Sequence, residues 1–168
     1  FDFGDMIKMN AQGYFPYTPP VTLLRGLRAS VDMLLDEGLD NVVHRHNRLA
    51  EGVRRAVTAW GLNNCAQEAQ WHSDTVTAIK MNEGQDANAV IQTAYHDYKV
   101  SLGAGLSVLN GKVFRIGHLG WLNETMVLQA LGGVELAMRK VGVAFEAGSG
   151  VGAAIDFYTE TAASNKMA

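Results

Sequence analysis

Arg115 is the side chain in this sequence best suited to chemistry. It stands in Gly111-Lys-Val-Phe-Arg-Ile-Gly-His-Leu-Gly120, a short strand pattern with one arginine, ending in glycines. Val113, Phe114 and Ile116 are strand formers. Alternation along a strand sends Phe114 and Ile116 one way and Val113 and Arg115 the other. The nearest acid on the C-terminal side is Glu124. Gly117 and Gly120 carry no side-chain bulk, so a small molecule can approach the backbone there. A guanidinium beside glycines, with no acid close by in sequence, suits a carboxylate or phosphate, because its planar fork holds two oxygens at once. The competing reading is a solvated arginine on the outer face of a half-buried strand.

The rest of the chain must position that strand. Phe1 to Gly13 holds apolar residues without a clean period, and a short strand and a helical turn both fit. Tyr14 to Pro20 reads as extended, because residues before prolines are pushed out of the helical region. Thr18 followed by Pro19 and Pro20 reads as a helix start. Leu24, Leu27, Val31, Leu34 and Leu35 then form one helical face, and Gly38 ends it. A second helix is expected from about Asp40, with His46, Leu49, Val53, Ala56, Val57 and Trp60 in its stripe and Gly61 closing it. His44 and His46, two apart on a helix, face different directions and do not share a metal. His46 reads as a core-edge histidine.

After Gly61 the period moves from 3.6 toward 2. Strands are expected at Asn63 to Gln67, Thr75 to Met81 and Val100 to Leu102. Asp86 reads as the N-cap of a helix along Val90, Ala94 and Tyr98, and Asn123 as the cap of a longer one along Val127, Leu131, Val134 and Met138. Gly148 to Gly152 reads as a joint before a final short helix, Ile155 to Ala162. The fold class expected is α+β: a helical hairpin leading into a small, mostly antiparallel sheet with helices on one face. The expected divisions are an extended segment over 1–20, a connecting hairpin over 21–61, a C-terminal α/β small domain over 62–145, and a tail with a short helix over 146–168.

Composition narrows the function classes. The chain has 168 residues, 48% hydrophobic and 18% charged, with a net charge of −3. That is an ordinary globular composition, with no basic footprint for nucleic acid and no polybasic membrane patch. The single cysteine, Cys65, excludes an internal disulfide framework and a CxxC metal site, and a free thiol suits a reducing compartment. No apolar run approaches the ~18 residues needed to span a bilayer. No signal peptide is read at the N-terminus. The first residue is Phe1 rather than methionine, which reads as a processed or truncated piece. No residue stands out as a catalytic acid, base or nucleophile, and no metal-ligand set is expected.

Three stretches, in order, resemble a known family: Tyr14 to Leu27, Asp86 to Leu106 ending Ser-Leu-Gly-Ala-Gly-Leu, and Gly111 to Gly120. Together they are similar to the C-terminal part of class V, fold-type I, pyridoxal-phosphate-dependent aminotransferases, nearest the serine–glyoxylate and alanine–glyoxylate enzymes. The resemblance implies that Arg115 binds the α-carboxylate of the amino or keto acid. It implies that Thr18 reaches across a homodimer interface to the cofactor phosphate of the other subunit. Some relatives carry a phosphate-binding tyrosine three positions before that threonine. Here the position is Phe15, and Tyr14 or Tyr17 would have to substitute. The resemblance also implies pyridoxal 5′-phosphate as cofactor, a cytoplasmic enzyme, and small amino and keto acids as substrates.

The family's Schiff-base lysine, its pyridine-nitrogen aspartate and its ring-stacking aromatic lie upstream of the Tyr14–Pro20 stretch, outside this sequence. The chain is therefore expected to be inactive alone and to need a missing N-terminal portion. A non-catalytic module that binds a small carboxylate, or that serves dimerisation, is the alternative from a different class.

Overall fold

A computed structural model describes residues 2–162. Phe1 and residues 163–168, with Lys166 and the end of the expected tail, lie outside the described residues. The chain divides into two compact units, one running to Val42 and the other starting at Val43.

The first unit holds two helices and the start of a third. Where an extended segment is expected over 1–20, residues Phe3–Asn10 form helix α1. The reason is local: Asp2 accepts a hydrogen bond from the Gly4 N–H at 2.6 Å and caps the first turn. The proline-rich stretch after it is not helical. Helix α2 (Val21–Glu37) begins directly after Pro20, which has no side-chain cap of its own. It is stabilised on its surface by Arg28 and Asp32, one turn apart at 2.9 Å. Gly38, at φ +84°, stops it.

Helix α3 (Leu39–Ala59) crosses from the first unit into the second. Most of the second half of the expected hairpin thus belongs with the sheet. Leu49, Val53, Ala56, Val57 and Trp60 are buried in one core with residues of every later helix. Steps of three and four, from 49 to 53, 53 to 56 and 57, and 56 to 60, put them on a single face.

The sheet has four strands, β1 (Asn63–Asn64), β2 (Val76–Lys80), β3 (Gly103–Ala104) and β4 (Val113–Gly117), in the order β1-β2-β4-β3. All pairings are antiparallel. Ile79 lies opposite Phe114 and Thr77 opposite Ile116. Directly opposed residues share a face, so these four make the buried side. Helices α4 (Ala87–Tyr98) and α5 (Glu124–Lys140) contribute Val90, Ala94, Leu131 and Met138 to the same core. Ala78, Arg115 and Gly103 fall on the opposite side by the same register.

Two local expectations change. Pairing in the third strand falls at Gly103–Ala104 rather than at 100–102. Lys99 takes a left-handed conformation at the end of α4, and the Val100 N–H still donates to Ala94 O. Val100 then packs on Gly133, where a Cβ would come within 2.4 Å of it. The last element, α6 (Ser149–Thr161), is a 13-residue helix rather than a tail with a short helix. Ala154 and Tyr158 put it in the core. Its first turn is capped from a distance: buried Glu135 on α5 accepts from the N–H groups of Gly148, Gly150 and Val151 at 2.7 to 3.1 Å, and from the Trp60 indole at 2.9 Å. Gly150 is a close-packing residue, since a Cβ there would meet the Trp60 ring at 2.2 Å.

Candidate carboxylate site

Arg115 is the centre of β4, paired across to Ala78 on one side and Gly103 on the other. Strand hydrogen bonds therefore fix its backbone, and alternation aims it away from the helices. Its side chain is half-buried. The Nε atom is buried and has no hydrogen-bond partner, and among the described residues no acid forms an ion pair with the guanidinium. A buried donor left unpaired carries a desolvation cost of about 1–3 kcal/mol. Gly117, two residues further on the same face, has open space where a side chain would stand.

The loop after β4 is held from two sides. His118 is fully buried; its Nδ1 lies 3.0 Å from Asp74 O and its Nε2 2.9 Å from Thr77 Oγ1. A carbonyl oxygen only accepts, so Nδ1 carries the proton and Nε2 accepts from the threonine hydroxyl. Burial pushes the His118 pKa down, against a smaller upward pull from the Asp74 carbonyl, and the ring is neutral at pH 7. On the other side, His46 Nε2 accepts from the Gly120 N–H at 3.1 Å, while Arg45 donates to Gly120 O at 2.8 Å and stacks on Trp121 at 5.7 Å. Gly120 has φ +105°, a conformation that suits glycine. His46 is thus a loop anchor at the edge of the core. The anchoring role of His118 was readable in principle, because it continues the Phe114, Ile116 alternation onto the buried face. Arg45 and Gly103 carry no such signal, since their partners are 75 and 12 positions away.

Thr18 and Tyr17 lie in the first unit, on the non-helical stretch before α2, and both are exposed. Arg115 lies in the second. A surface cleft lies elsewhere, at the β1 edge, lined by Asn63, Cys65, His72, Lys80 and Lys112 among others, and Arg115 does not line it. Among the described residues no three His, Cys, Asp or Glu side chains gather as a cation site, and no helix is long and apolar enough to cross a membrane.

No protein-family profile matches the chain. Individual proteins do. Serine–glyoxylate aminotransferase of Hyphomicrobium methylovorum is 55% identical over 168 residues, which is 100% of this chain and 42% of the relative. The chain is a homologue of part of the glyoxylate aminotransferases. An L-aspartate–glyoxylate aminotransferase of Paracoccus denitrificans is 47% identical over 163 residues, covering 97% of the chain and 41% of the relative. In structure, the pyridoxamine–pyruvate aminotransferase of Mesorhizobium loti superposes with a TM-score of 0.82 at 34% identity, over 87% of this chain and 38% of that one. The chain thus spans about 40% of the length of the curated aminotransferases it matches. Its helices and small antiparallel sheet match the C-terminal small domain of fold-type I, class V aminotransferases.

Aminotransferases of this family use pyridoxal phosphate. The described residues of this chain do not make a cradle for that cofactor. Their lysines, Lys8, Lys80, Lys99, Lys112 and Lys140, are all exposed, and none is enclosed as an imine-forming amine requires. The chain offers a guanidinium and, in its other unit, a hydroxyl and a phenol. No step through the cofactor belongs to these residues alone.

Proposed function

We propose that this chain is the carboxylate-binding portion of a pyridoxal-phosphate-dependent aminotransferase that moves an amino group from serine, or alanine, to glyoxylate. Arg115 holds the α-carboxylate of donor and acceptor in turn. The observation that carries the reading is its guanidinium: half-buried, with an unpartnered Nε, on a sheet face where Gly103 makes room for its stem and Gly117 leaves open space beside it. Both oxygens of a carboxylate can be held in one plane there, and with little competing water such a pair is stronger than a surface ion pair. The homologues named for serine–glyoxylate transfer support the same substrates, and the aspartate–glyoxylate relative widens the range of donors to test.

In this reading residues 1–20 lie with the large domain of the full protein, 21–61 connect, and the sheet is the small domain. Thr18, with Tyr17 beside it, contacts the cofactor phosphate of the other subunit of a homodimer in the cytoplasm. Both residues are exposed on the non-helical stretch before α2.

The test is Arg115→Ala in the full-length protein. Losing one partner of a hydrogen-bonded charge pair costs on the order of 2–5 kcal/mol. The expected fall in kcat/KM for glyoxylate is therefore roughly one and a half to three and a half orders of magnitude. Arg115→Lys restores part of it, since an ammonium keeps the charge but not the fork. A kcat/KM within a fewfold of wild type would make Arg115 an ordinary surface residue and remove the substrate assignment.

A further inference from the structure

We propose that Gly103 is a positioning residue for Arg115: by having no side chain, it lets the arginine lie flat along β3 and so sets where the guanidinium points. The inference rests on the carboxylate reading of Arg115.

Gly103 and Arg115 are directly opposed in the β3–β4 ladder. A Cβ built on Gly103 would stand 3.0 Å from Arg115 Nε, 3.1 Å from its Cβ and 3.4 Å from its Cζ. The arginine stem therefore runs across the glycine, in the space a neighbouring side chain would fill. The backbone gives no other reason for glycine there. Gly103 is absent from the positive-φ glycines, and glycine within a strand is less stable than alanine by about 0.5–1 kcal/mol.

The same contact explains the buried Nε. Pressed onto the bare strand, that atom is shielded from water. A methyl at position 103 requires a shift of a few tenths of an ångström at Nε. Arg115 Cβ, 3.1 Å from the added methyl, can yield only by a small shift of the ladder, while Nε and Cζ yield through the outer torsions, where the displacement grows toward the tip. The guanidinium then lifts off the strand, Nε meets water, and the fork leaves the plane in which it takes a carboxylate.

A double-mutant cycle on the full-length protein tests this, with glyoxylate as the varied substrate: Gly103→Ala, Arg115→Ala and both together. Misplacing a binding group by about 1 Å costs up to about a hundredfold, so a smaller shift is expected to raise KM about tenfold, with kcat changed less than about threefold. In the Arg115→Ala background the same Gly103→Ala change should alter kcat/KM by less than about twofold, because the contact is already gone. Arg115→Lys should likewise cost less in the Gly103→Ala background than in the wild type. Equal losses in both backgrounds would assign Gly103 a purely structural role and overturn the proposal. So would an unchanged KM, or a Gly103→Ala protein that does not fold. If Arg115→Ala by itself had no effect, the carboxylate reading would fail first, an outcome distinct from additivity in the cycle.

Discussion

Two arginines in the second unit show opposite solutions to placing a guanidinium. Arg48, on α3, is 5% exposed, and each of its three guanidinium nitrogens has a partner. It donates to Thr161 Oγ1 at 2.9 Å, to Tyr158 O at 2.7 Å and to Glu124, and it lies over the Tyr158 ring. Those partners tie α3 to the start of α5 and the end of α6. Arg115, on the open face of the sheet, is less buried and has no partner at its buried Nε. The charge that holds these helices together has a partner at each guanidinium nitrogen. Arg115, in the carboxylate reading proposed for it, is instead held by its backbone and its stem, with its Nε left unpaired.

Substitutions can break that contrast. Arg48→Ala should have the largest effect on stability, a loss of about 3–5 kcal/mol, because it strands groups arranged around a buried charge. Arg115→Ala should shift stability by less than about 1 kcal/mol, since nothing in the fold relies on its donors. Urea unfolding of the two variants side by side is the check; equal losses would erase the distinction. Glu135→Gln comes next. A carboxylate accepting four hydrogen bonds becomes a group with one acceptor oxygen, at a cost of about 1–3 kcal/mol. Amide exchange should quicken first at Gly150 and Val151, and unchanged protection there would mean that α6 does not depend on this cap.

The smallest expected effect is on pH dependence. His118 and Glu124 both have depressed pKa values. For His118 the cause is burial. For Glu124, burial pulls upward but is outweighed by hydrogen bonds from its own backbone and from Arg48. In each case the unfolded chain binds a proton more readily than the folded one, so stability is present above the unfolded pKa and falls as the pH drops. The His118 contribution should fade below about pH 6.5 and the Glu124 contribution below about pH 4.3. His118→Gln should flatten the upper window and leave the lower one. A slope that persists between about pH 6.5 and 5 in that variant would assign it to another group.

Local pattern made the main elements legible. The stripe of α3, the Asp86 and Asn123 caps, the Thr75 to Met81 strand and the arginine strand all follow from neighbours in sequence, and each caps or pairs much as expected. The position of Arg115 on the outer face also followed from alternation. What stayed hidden depends on distant partners. The start of α6 is written on α5, in Glu135, so a glycine-rich stretch reads as a joint until its cap is found across the core. The apolar residues of α1 fit two periods, and only the Asp2 cap decides between them. Gly103 reads as part of a flexible connection, although what it does is make room for a side chain on the next strand.

The outer strands of the sheet have their own consequence. Asn63–Asn64 and Gly103–Ala104 are each two residues long, and they form its two borders. A border that short offers another chain almost no row of free amide and carbonyl groups, so strand-to-strand addition has little to template on. If a polypeptide of this sequence clumps when overproduced, the contact to look for is between side chains, on exposed leucines such as Leu23 and Leu27 of α2, and not a growing ribbon of backbone. Charged substitutions on that helix, rather than proline in the strands, are then the route to a well-behaved sample.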